Sequence, residues 1–169
     1  MKKINIFLII ISFFFILSSE RSDNNLFLDI GKLLEIEFIK HGELYMKNKN
    51  SIIKKIDIEL ADKATEKRNG LKYRSFLKEN RGMLFIIKNQ EEYKRIDMEN
   101  MRIFLDIIYI NQFDTVIFVN QYVSPMRKFE IVDLPSKIKY ILEINAGMSK
   151  KWGIKKGITK ITWYLNKKK

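Results

Sequence analysis

Residues 81–110 read RGMLFIIKNQEEYKRIDMENMRIFLDIIYI, two apolar runs, Met83 to Ile87 and Ile103 to Ile110, separated by a polar hinge. Each run has the length and the β-branched and aromatic content of a strand. Asn100 and Asp106 sit among the apolar residues of this stretch, where an unpaired polar group would be costly to bury. Nothing in it spells a known reaction.

Outward from this stretch the chain reads as short strands. Residues 35–46 and 51–60 are extended segments joined by a turn at Asn48 to Asn50, with Ile56, Ile58 and Leu60 alternating against Asp57 and Glu59. A change of period between Asp62 and Gly70 predicts a two-turn helix, with Asp62 as N-cap and Gly70 ending it. Leu71, Tyr73, Phe76 and Leu77 follow as an irregular apolar lid.

On the C-terminal side, a turn at Asn111 to Asp114 leads into a strand over 115–123, giving a hairpin over 105–123. Residues 124–135 read as a loop with Pro125 and Pro135 near its ends. A strand over 139–144, one helical turn within 147–153 and a last strand over 159–165 complete the pattern. With no strand and helix alternation, the expected fold is mainly β: an antiparallel, jelly-roll-like sandwich or barrel with one or two short helices.

Composition narrows the chemistry. The 169 residues and 46% hydrophobic content suit a single core. Cysteine is absent, which removes disulfides, thiolate metal sites and a thiol nucleophile, and His41 is the only histidine. No metal or cofactor site is expected, because no loop clusters Asp ligands around a turn glycine and no glycine-rich phosphate cradle is present.

The net charge of +12 is mostly local: the segment 144–169 holds eight lysines and no acid, and Lys2 and Lys3 lie at the other end. Arginine interleaved with aromatics is missing, which argues against a nucleic-acid partner. The tail Lys167, Lys168 and Lys169 offers at most weak contact with an anionic surface.

Residues 1–19 read as a secretory signal, with Lys2 and Lys3 before an apolar run from Ile4 to Leu17 and Ser18 and Ser19 after it. Fourteen residues are too few for a membrane span of about 20, yet Leu17 is a poor residue three before a cut, so an uncleaved anchor stays open. Both alternatives imply export to the periplasm or exterior. The organisation expected is signal 1–19, linker 20–37, one β domain 38–165 and basic tail 166–169.

Several motifs occur in order: ELAD at 59–62, Gly70 and Leu71 followed by Arg74, GMLF at 82–85, Met98 and Asn100, LDI at 105–107, YILEINAG at 140–147 and GIKKG at 153–157. In these the chain resembles the bacterial family known as domain of unknown function 192, over about residues 38–164. The resemblance implies a small, mostly β domain, often exported, and no settled activity. The family's central motif, F-W-M-K-N-T-x-I-P-L-D, is altered here: Asp97 stands at the tryptophan position, Glu99 at the lysine, Met101 at the threonine and Phe104 at the proline. Likewise R-x-x-G-L-M becomes Lys67 to Lys72, with lysine at the arginine and methionine places. A ligand held by that tryptophan and lysine would lose both contacts.

Candidate site residues are therefore Asp106, Asn100, Arg74 and Met98, serving a ligand or acting as structural clamps. Asp106 is expected to pair with Arg74, Asn100 or backbone N–H groups. No catalytic residue is assigned. The functional expectation is a non-enzymatic domain of the cell envelope that binds a small polar ligand or another envelope protein. The rival is a hydrolase of envelope carbohydrate using two carboxyls from among Asp62, Asp97, Glu99, Asp106 and Glu143. Tyr140, Trp152, Trp163 and Tyr164 could line a sugar-stacking face, though aromatics at these spacings more often fill a core.

Overall fold

The computed structural model describes residues 35–89, 92, 95–126, 128–130 and 137–166. The expected signal, most of the linker and the Lys167 to Lys169 tail lie outside these residues. By its contacts the chain divides into residues 1–36 and 37–169, and the description below concerns the second unit.

Among the described residues, nine strands and two short helices follow in the order β1 Gly42–Asn48, β2 Ser51–Ala61, α1 Ala64–Asn69, β3 Arg81–Ile86, β4 Arg95–Asp97, β5 Leu105–Asn111, β6 Val116–Val123, β7 Lys128–Glu130, β8 Ile138–Asn145, α2 Met148–Lys151 and β9 Thr159–Leu165. Seven strands form one sheet in the order β6-β5-β8-β3-β2-β1-β9, and β4 pairs with β7 in a small second sheet. The fold is thus mainly β.

The sheet departs from the expected antiparallel sandwich or barrel in two ways. First, β2 and β3 are parallel, with Asp57 opposite Arg81 and Ala61 opposite Phe85. A parallel pair needs a crossover, and α1 with the 70–80 segment supplies it. The helix is read from the sequence, but one short helix between two strands does not reveal that those strands pair in parallel.

Second, the sheet rolls but does not close. β9 meets the start of β6 through one bridge, Thr115 opposite Lys160, and through the Ile161 N–H donating to the Asp114 carbonyl at 2.9 Å.

Local expectations are adjusted as well. The first strand begins at Gly42 rather than at residue 35. Lys63, not Asp62, is the N-cap of α1, and the Glu66 carboxylate reaches back to accept from the N–H groups of Asp62 and Lys63, both at 3.0 Å. The polar hinge and the proline-flanked loop, each too polar to read as strands, carry β4 and β7.

Period-two alternation sorts the apolar residues of the large sheet onto two faces. Ile108 and Ile110 of β5, Leu84 of β3, Tyr140, Leu142 and Ile144 of β8, Leu44 and Met46 of β1, Val116 of β6 and Ile161 of β9 form one buried cluster with Trp152. Since it joins both edge strands, it fills the inside of the roll. Phe85, Ile141, Leu105, Ile107 and Tyr109 face the other way and pack under Leu71, Leu77, Met98, Met101 and Ile103. The central strands are therefore covered on both sides, and all seven residues of β5 are buried.

Candidate functional site

Asp106 points into the roll, on the same face as Ile108 and Ile110. Opposite it β6 carries an irregularity: Leu105 pairs with Val123 and Ile107 with Asn120, so β6 has one residue more than β5 over this span. Tyr122, in the extra stretch, has a left-handed backbone at φ 53°. Asp106 Oδ1 accepts the freed Tyr122 N–H at 3.0 Å, and Oδ2 accepts the Ser149 N–H at 2.9 Å and hydroxyl at 2.6 Å.

One fully buried carboxylate thus ties β5, the bulge of β6 and the start of α2 together. Both oxygens are engaged, so Asp106 is built as a clamp and has no oxygen facing an open cleft.

The other three candidates lie elsewhere. Arg74 pairs with Glu59 on β2, not with Asp106: its Nη2 donates to Oε1 at 2.9 Å and lies 2.8 Å from Oε2, the latter without hydrogen-bond alignment. Oε1 also accepts the Ile39 N–H at 2.9 Å. This pair is buried on both sides. Asn100 adopts φ 63°, which asparagine tolerates better than most residues, and its carbonyl accepts the Tyr73 N–H at 2.9 Å. Met98 is buried, and its carbonyl accepts the N–H groups of Met101 and Met126 at 3.1 and 2.9 Å.

Met98 and Asn100 therefore brace neighbouring loops, and the structure brings Met98, but not Asp106, to a cavity. His41 Nδ1 accepts the Leu60 N–H at 2.9 Å, which commits the single histidine to a strand contact. Tyr140 and Trp152 are buried in the roll, while Trp163 packs edge-on against Tyr140 and Tyr164 against Tyr45.

The cavity, about 140 Å³, lies on the outer face of the sheet. Phe85 and Ile87 come from β3 and its continuation, Ile141 and Glu143 from β8, Gly70 and Lys72 from the end of α1, and Met98 and Met101 from the segment after β4. Lys67, Glu92 and Asp97 complete the lining.

Two ion pairs stand among these residues: Lys67 Nζ lies 2.6 Å from Glu92 Oε2, and Lys72 Nζ lies 3.1 Å from Asp97 Oδ2. The second pair joins two altered family positions, lysine for methionine and aspartate for tryptophan. The divergence of the hinge is thus matched by a change across the cavity from it.

Glu143, named from the sequence only among five carboxyls that could form a hydrolase pair, stands out in the structure. Across the sheet, Glu59 faces Met83, Met83 faces Glu143 and Glu143 faces Ile107, so two carboxyls share one covered row. Glu59 has Arg74. Glu143 is 9% exposed, and among the described residues nothing donates to it. Burial alone pushes its carboxyl up from 4.5 to about 8, because the charged form loses its hydration without gaining a partner.

On the same face, Tyr109 has a buried hydroxyl without a hydrogen-bond partner. Its ionisation is pushed upward, first by burial and then by the nearby Glu143 charge. A signal for Glu143 did exist, a glutamate between Leu142 and Ile144, but alternation made it look like an ordinary outward residue. Among the described residues no three His, Asp or Glu side chains gather as metal ligands.

Residues 45–162 match the model of the DUF192 family, described as Uncharacterized ACR. The chain belongs to this family. Two solved structures share the DUF192 fold with it. A protein of unknown function from Novosphingobium aromaticivorans DSM 12444 is 24% identical, with a TM-score of 0.62 over 72% of this chain and 84% of that one. A protein from Sinorhizobium meliloti 1021, named as a candidate transcription regulator, is 22% identical, with a TM-score of 0.63 over 75% of this chain and 98% of that one. No match was found among curated proteins.

Two outcomes follow from these geometries. Asp106→Ala strands the Tyr122 and Ser149 donors and is expected to lower stability by about 3–5 kcal/mol, seen as a lower urea midpoint. Glu143 behaves differently. A carboxyl whose folded pKa exceeds its unfolded value binds more protons when folded, so its contribution is complete below about pH 4.5 and is lost as pH rises towards about 8.

Glu143→Gln, a neutral isostere, is therefore expected to melt with wild type near pH 5 and to exceed it by about 2–4 kcal/mol near pH 8.5. A gap that does not change with pH would contradict the raised pKa.

Proposed function

We propose that this DUF192 domain is a non-enzymatic binding module whose ligand, a small polar molecule, occupies the cavity between α1, β3, β8 and the 97–101 segment. One observation carries the proposal: Glu143, 9% exposed and with no hydrogen-bond donor among the described residues, forms part of the cavity wall. A carboxyl that is largely desolvated and lacks a donor carries part of its desolvation cost, and a bound partner is one way to offset it. Apolar walls with a few polar groups are also the usual makeup of a ligand site. The signal-like residues 1–19 favour a place in the cell envelope for this module.

A second reading, a hydrolase of envelope carbohydrate, draws on one fact: Glu143 and Asp97 line the same cavity. A carboxyl that stays protonated near neutral pH is suited to general-acid work. This moves the acid from Asp106, whose oxygens are occupied, to Glu143. Asp97 is held by Lys72, which weakens it as the second carboxylate.

The test is a thermal-shift screen of amines, sugars, amino acids and carboxylates on the full chain, repeated on Ile87→Trp, which fills the cavity from a half-buried wall position. A ligand present at about 100 times its Kd is expected to stabilise wild type by about 2.7 kcal/mol and Ile87→Trp hardly at all. Equal shifts in both proteins, or none in wild type, would overturn the binding proposal. Turnover of chromogenic glycosides that disappears in Glu143→Gln would favour the hydrolase.

A further inference from the structure

The ionisable residues around the cavity are two lysines and three carboxyls: Lys67, Lys72, Glu92, Asp97 and Glu143. Four of them cancel in pairs, Lys67 with Glu92 and Lys72 with Asp97. Glu143 is left over, and its charge also acts on the buried Tyr109 hydroxyl, which stays neutral. Glu59, one row position beyond Met83, is already neutralised by Arg74.

Among the described residues that line the cavity, ionised Glu143 would therefore leave a charge of one negative unit, with no described cation paired to it. Among the described lining residues, a bound anion would meet no lysine that is not already paired with a carboxylate. A bound monocation would meet its counter-ion. The remaining wall, with the Phe85 ring and the Met98 and Met101 thioethers, is polarisable and apolar, which suits the alkyl part of an amine and the weakly hydrated face of an ammonium.

We propose that the cavity takes a small aliphatic amine as its ammonium ion, with the nitrogen on the Glu143 carboxylate and the alkyl chain against Phe85, Ile87, Met98 and Met101. This rests on the binding proposal above and gives its ligand a chemical class. The step is an ion pairing with proton release: Glu143 gives its proton to solvent as the ammonium arrives, and no covalent bond forms. Because the ammonium keeps its own proton well above neutral pH, the pH dependence of binding belongs to Glu143. An ammonium resting on surface carboxylates, which are ionised throughout this range, would not share it.

The test uses n-butylammonium as probe on the full chain, with n-butanol and butyrate as neutral and anionic counterparts, followed by NMR titration. Butylammonium is expected to bind more than about tenfold tighter at pH 8 than at pH 6, following the ionised fraction of Glu143. Glu143→Gln is expected to lose this pH dependence and at least about tenfold in affinity, while its backbone spectrum stays that of the folded domain.

Amine binding that is independent of pH, or that survives in Glu143→Gln, would overturn the amine assignment, as would no amine binding at all. If butanol or butyrate binds wild type more tightly than the amine, and Ile87→Trp blocks it, the amine assignment fails while the cavity remains a binding site. If the broader screen also finds nothing, both fall.

Discussion

Two carboxyl groups on one covered face of a seven-stranded sheet are the constraint around which this domain is arranged. Glu59 and Glu143 lie in one cross-strand row with Met83 between them, about 10 Å apart at the backbone if neighbouring strands are spaced normally. Neither can be left ionised in an apolar layer without a partner. The protein resolves the two differently. Glu59 takes Arg74, which anchors the segment after α1 across the sheet, and the earlier part of that segment brings Gly70 and Lys72 to the cavity. Glu143 takes no side chain among the described residues, and it forms part of the cavity wall.

The opposite face shows what a fully satisfied carboxylate does. Asp106, with three donors from β6 and α2, holds a bulge and a helix start and leaves nothing for chemistry. This division explains how the DUF192 motif has diverged in this chain. Gly82 and Leu105 to Ile107 stay as the fold needs them. Gly82 is an example: a Cβ there would lie 2.8 Å from the Glu143 carbonyl oxygen and 3.0 Å from Ile144, so β3 and β8 can approach only with glycine at this position. The altered positions 72 and 97 meet at the cavity, where they form an ion pair in place of the methionine and tryptophan that the family pattern carries there. The change falls on the cavity and spares the clamp.

Much of the fold was legible. The hairpin over 105–123, the strands near 51–60, 139–144 and 159–165, and the helix ending at Gly70 are seen close to where periodicity and turn residues put them. The parallel pairing of β2 and β3 was not legible, because strand order depends on contacts between distant segments. For the site, an aspartate inside an apolar run drew attention to Asp106 for a sound reason, the cost of burying it. The same reasoning applied to Glu143, yet the lysine and glutamate alternation of β8 mimicked a strand with one wet face. Only the covering of that face by Leu71, Met98 and Met101 reveals its burial. Of the three partners expected for Asp106, backbone N–H groups are the ones present, while Arg74 goes to Glu59, because sequence order does not show which strand its loop crosses.

The central claim is that Glu143, without a donor among the described residues, is an acid held neutral at a ligand cavity. Its most direct measurement is the side-chain carboxyl carbon shift of Glu143 followed by NMR across the pH range in the ligand-free protein. The account predicts a single titration with a midpoint near 8. A midpoint in the ordinary range of glutamate, about 4–5, would contradict it, since that would mean a donor or solvent reaches the carboxylate and the cavity needs no ligand to answer it.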